Sequence, residues 1–117
     1  MEPTSTNRKT TTGIVTDELM EDICRQLAIK TSMSREVLLV MLENLQVFDT
    51  KQQDYSSNNI TAFGEKGVVV RCNDKIERLK NLVWDSQEAK HEAVADTWMD
   101  LSNYALIGYL CNKGLWK

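Results

Sequence analysis

The sequence predicts an all-α fold, a four-helix bundle-like domain with a partly extended loop between the second and third helices. Three observations lead there. Apolar residues recur at three- and four-residue spacing over four stretches, the rhythm that gathers them on one face of a helix. Helix breakers are scarce, with one proline and five glycines in 117 residues. The run Val68-Val69-Val70 departs from this rhythm, because three successive β-branched residues favour extended backbone. At 42% hydrophobic and 26% charged residues the chain has material for one core. A chain of this length buries roughly 60–70% of its unfolded surface, which leaves no room for a second core. We therefore expect a disordered arm over residues 1–13 and a single helical domain over residues 14–117.

Each element has its own warrant. Residues 1–13 are rich in Thr, Ser and Asn and nearly free of apolar side chains, so burial cannot offset their ordering entropy. The first helix starts at Thr16, an N-cap, with Asp17 and Glu18 in the positive first turn and Leu19, Ile23 and Leu27 on its stripe, ending near Lys30. The Thr31-Ser32-Met33-Ser34 cluster breaks and recaps the chain for a second helix from Arg35 to Gln53. That helix is apolar around most of its circumference, which places it centrally in the fold or against another subunit. Residues 54–71 read as turn chemistry at Tyr55-Ser56-Ser57-Asn58-Asn59, glycine-permitted turns at Gly64 and Gly67, then an extended strap through the valines. A third helix follows, capped by Asn73 and buried through Ile76, Leu79 and Val83. A polar connection leads to the longest helix, Glu92 to Asn112, with Gly114 at its C-cap.

Charge and cysteine content narrow the function classes. Fourteen basic against seventeen acidic residues give a net charge of −3, which argues against broad non-specific nucleic-acid binding but admits a local basic patch. Cys24, Cys72 and Cys111 lack CxxC spacing and read as reduced thiols of a cytoplasmic protein; with His91 the sole histidine, no zinc site is expected. No basic-then-apolar leader opens the sequence. The longest apolar run, Val37 to Leu42, is six residues against the roughly 20 that span a bilayer, so no membrane association is expected.

Chemistry concentrates on the last two helices. Glu92, Asp96, Asp100 and Asn103 stack on one side of the final helix at i, i+4, i+8 and i+11. They read either as a solvated acidic face or as a Mg²⁺ site, since Mg²⁺ takes carboxylate oxygens and keeps waters that phosphate can replace. Met99, Leu106, Ile107 and Leu110 nearby imply partial shelter, where carboxylates need cations or donors. Arg71, Lys75 and Arg78 on the third helix are the phosphate-binding candidates, Lys75 with a stem long enough to cross apolar surface. Asp74 and Arg78 form an i, i+4 pair that also reads as a plain structural ion pair. Tyr55, Phe63 and Gly64 are candidates for contact with a base; the glycines lack P-loop spacing.

The order Asp54-Tyr55, Phe63-Gly64 with Gly67, Val70-Arg71, Asp74-Lys75, Arg78-Leu79, Asn81-Leu82, then Asp96-Thr97, Asp100-Leu101 and Tyr104-Ala105 resembles the nucleotide modification associated domain (type 1) proteins of bacteriophages. The likeness runs from Gln53 to Leu110. It implies a link to nucleotide or DNA-base modification and a host-cell cytoplasmic location. The chain is more weakly similar to the all-α nucleotide pyrophosphatases of the MazG and dimeric dUTPase type, which hold Mg²⁺ with acids from two helices. Here the second helix offers Glu36, Glu43 and Asp49 without a paired ExxE, and Asp96 and Asp100 are four apart where those enzymes have three.

The expectation is a phage accessory protein that binds, and hydrolyses or sequesters, a nucleotide with Mg²⁺, working as a homo-oligomer. The alternative is a non-enzymatic protein that binds a host or phage protein, with its ion pairs serving structure. DNA binding through the arm and residues 71–80 ranks third.

Overall fold

The structure, a computed structural model, describes residues 15–55, 57–86, 88 and 93–117. The expected arm over residues 1–13, together with His91 and Glu92, lies outside the described residues. The fold is all-α. The described residues form α1 (Asp17–Gln26), α2 (Ser32–Tyr55), α3 (Asn58–Thr61), α4 (Gly64–Leu79) with a π-helical turn at Lys80–Trp84, and α5 (Val94–Asn112); they contain no strand. The chain divides into two compact units, Met1–Thr50 and Lys51–Lys117.

In the first unit α1 starts where its cap requires. Thr16 Oγ1 accepts from the Leu19 amide at 3.1 Å, with Asp17 and Glu18 in the first turn. It stops at Gln26, short of Lys30. Ala28 turns into the left-handed region at φ 55°, and the Ile29 amide reaches back to the Cys24 carbonyl at 2.9 Å. That is a Schellman closure built on alanine instead of glycine, hence invisible to a search for a C-cap glycine. Thr31 then caps α2, its Oγ1 accepting from the Ser34 amide at 3.1 Å. Met20, Cys24 and Leu39 are buried, and so is Arg35, whose Nη2 lies 2.6 Å from Glu21 Oε1 on α1. The apolar belt expected on α2 is only partly covered. Met33, Val37, Met41 and Leu45 are each more than half exposed, while Glu43 and Asn44 are buried.

The second unit corrects the expected strap. Val68, Val69 and Val70 are not extended: they lie inside α4, which begins at Gly64, nine residues before the expected Asn73 cap. Three valines in a helix cost roughly 0.5 kcal/mol each against better helix formers. Burial of Val68, 3% exposed, offsets most of that, since burying such a side chain contributes about 1.5–3 kcal/mol. The packing is close because residue 108 is glycine; a Cβ there would stand 3.3 Å from Val68 Cγ1. The turn residues of 57–63 form the short α3, and Gly64, at φ 62°, makes the corner into α4.

Helices α4 and α5 run antiparallel. Asn112 Nδ2 donates to Glu65 at 3.4 Å, Lys75 meets Asp100, and Arg78 meets Thr97, so position numbers fall on one helix as they rise on the other. Gly114, at φ 70°, closes α5 as expected, with the Leu115 amide bonded to the Leu110 carbonyl at 2.9 Å.

Candidate functional site

Spacing on α4 puts Arg71, Lys75 and Arg78 at i, i+4 and i+7, one flank of the helix. On α5 the same spacing puts Asp96, Asp100 and Asn103 together. The antiparallel packing brings the middles of these rows into contact. Lys75 Nζ lies 3.0 Å from Asp100 Oδ2, each side chain about one-fifth exposed. Arg78 Nε donates to Thr97 Oγ1 at 3.0 Å, and Thr97 is fully buried. A third cation arrives from the last turn of α2, where Lys51 Nζ lies 3.4 Å from Asp100 Oδ1 and stays more than half exposed.

Asp100 is the hub. Burial pushes its carboxyl up, but the hydrogen bond from Lys75 and the charges of Lys51 and Lys75 outweigh that and hold it below its ordinary value. It is therefore an anion held between two ammonium groups. Such a cluster can exchange one oxyanion for another: a phosphate oxygen satisfies an ammonium as well as a carboxylate oxygen does. Lys51, with the longer and more exposed contact, is the side chain best placed to make that exchange.

Not every expected residue joins. Asp96 and Arg71 are exposed at the edges of the cluster, and Asp74 is exposed on α4, while Arg78 is engaged across the helix pair by Thr97. Tyr55 stands one turn beyond Lys51 on α2 and is two-thirds exposed, close enough in sequence to flank a ligand held there. Phe63 and Gly64 do not reach the cluster: Phe63 is twelve residues before Lys75 at the opposite end of α4, about 18 Å along the axis. Two members escape sequence reasoning. Lys51 sits in a turn of α2 with no motif around it, and Thr97 enters the sequence only beside Asp96 in the resemblance, with no role until Arg78 reaches it.

Both oxygens of Asp100 face ammonium nitrogens, and among the described residues no three His, Cys, Asp or Glu side chains gather in a way that could hold a metal ion. Glu92, the third carboxylate expected in a Mg²⁺ site with Asp96 and Asp100, lies outside the described residues. Among the described residues no helix is long and apolar enough to cross a membrane. No family model matches the chain, and no curated protein or solved structure matches it either.

Proposed function

We propose that the chain binds a phosphorylated small molecule, of which a (deoxy)nucleotide is the favoured case, at the Lys51–Lys75–Arg78 cluster. The observation that carries this reading is the convergence of Lys51 and Lys75 on one partly exposed carboxylate. Ammonium groups that already hold an oxyanion are preorganised for a phosphate, so little side-chain ordering remains to oppose binding. The resemblance to the phage nucleotide-modification family supplies the nucleotide, and Tyr55 supplies a face for its base. In this reading Lys51 and Lys75 contact phosphate oxygens, Asp100 keeps them in place before the ligand arrives, and Thr97 orients Arg78. No metal-dependent step is assigned.

Calorimetry with a nucleotide panel, with and without Mg²⁺, tests it. Saturable heats that disappear in Lys75→Gln are expected; flat heats throughout remove the reading.

One observation favours a second reading, a non-enzymatic protein that binds a host or phage protein. Each Asp100 oxygen already has a cation, so the cluster also works as a clamp between α4 and α5. Asp100→Asn separates the two. If the site is a clamp, the substitution lowers the melting temperature with no ligand response in either protein. If it is an anion site, wild type binds phosphate and the substitution changes that affinity, because it removes the carboxylate that both positions the two ammonium groups and competes for them.

A further inference from the structure

The flank of the α4–α5 pair away from Asp100 is apolar and open. Along α4, Val69 and Ile76 stand seven residues, two helical turns, apart and so in one line, and Val83, in the π-helical turn that follows, lines the same groove as Ile76. Along α5, Trp98, Ala105 and Tyr109 follow at intervals of seven and four and stand in another. Between the lines lies a groove of about 320 Å³ lined by Ile76, Leu79, Lys80, Val83, Trp84 and Trp98. Trp84 is 83% exposed, and Val69, Val83, Trp98 and Tyr109 are each more than half exposed. Among the described residues that line the groove Lys80 is the one that carries a charge, and its ammonium is paired with Glu77 at 3.1 Å.

The geometry points to this flank as the interface between two copies of the chain. Area is the first argument. At their exposures the three aromatic and three aliphatic side chains leave roughly 750 Å² of apolar surface, against about 800 Å² per partner in a standard interface. The largest apolar patch of an ordinary monomer is about 300–600 Å². Chemistry is the second. The groove offers no unpaired charge among its lining residues to select a charged partner. Its walls also leave both indoles open, whereas small-molecule sites enclose roughly 70–90% of the ligand. Shape is the third. Ala105 lies between Trp98 and Tyr109 on the exposed line, so a facing helix can approach closely there. Two helices from each copy, paired about a twofold axis, bury Trp84 and Trp98 of both copies in one seam.

Sedimentation velocity over a hundredfold range of concentration tests the assignment on the full chain. A reversible monomer–dimer equilibrium is expected for the wild type. Trp98→Glu and Trp84→Glu should each run as monomers throughout that range with an unchanged helical circular-dichroism spectrum. Val37→Asp, on the exposed side of α2, should leave the dimer intact. A wild type that stays monomeric at every concentration overturns the proposal and assigns the groove to a different occupant. So does a dimer that survives both tryptophan substitutions, or one that is lost in Val37→Asp alone. The readout is independent of the anion cluster, so failure here leaves the nucleotide reading standing.

Discussion

The two flanks of the α4–α5 pair are made by the same helices, yet one is closed on itself and the other is open. On the charged flank the cations at the centre of the cluster are engaged: Lys51 and Lys75 hold Asp100, and Arg78 donates to Thr97. On the apolar flank Trp84 and Trp98 stand in solvent. Directional interactions can be satisfied within a small unit, because each needs only one neighbour at about 3 Å. Apolar area has no such local solution; it leaves water only when a second surface covers it. The difference separates the two roles assigned here, exchange of a small anion on one side and association on the other.

Substitutions at the seam between the flanks should hurt most. Leu79 is 6% exposed, so Leu79→Ala should cost about 2–4 kcal/mol in urea denaturation. It should weaken anion binding and dimer formation together; an effect on one alone would break the idea that both flanks depend on one helix pair. Next comes Asp100→Asn, which leaves a partly buried Lys75 without its counter-charge and should cost about 1–2 kcal/mol at neutral pH. Because the Asp100 carboxyl is held below its ordinary value when folded, its contribution is complete above the unfolded carboxylate range of about 3.9. That contribution is lost as pH falls through the lower folded value. Melting curves of wild type and Asp100→Asn should therefore converge on acidification; a constant gap would show that the charge is not what stabilises.

Smaller effects sharpen the contrast from outside. Ala28 occupies left-handed backbone at φ 55°, so Ala28→Gly should stabilise by about 0.5–1 kcal/mol in thermal denaturation without changing anion binding or sedimentation. Trp84→Ala removes an almost fully exposed ring and should alter stability by less than about 0.5 kcal/mol, while shifting the dimer equilibrium towards monomer.

Much of this was legible in the residues, for local reasons. Thr16 and Gly114 are side-chain and backbone signals that act within one turn, and both ends fall where they predict. The three valines misled because their preference is weak and the packing of Val68 on Gly108, forty residues away, overrides it. Ala28 misled because a left-handed alanine carries no sequence mark. At the site, Lys75, Arg78 and Asp100 could be proposed from helix periodicity alone. Lys51 could not, since only the folded chain brings the last turn of α2 to α5. Phe63, a candidate for contact with a base, stands away from the cluster because a helix takes the place of the expected strap and sets it at the far end of α4.

The most direct test is a calorimetric titration of inorganic pyrophosphate and of a nucleoside triphosphate into three proteins: wild type, Lys75→Gln and Trp98→Glu. Saturable binding is expected in wild type and Trp98→Glu, weakened about tenfold or more in Lys75→Gln, the scale of one lost charge-assisted contact. Equal affinity in wild type and Lys75→Gln, or no heat from any of the three, would contradict the assignment of the charged flank.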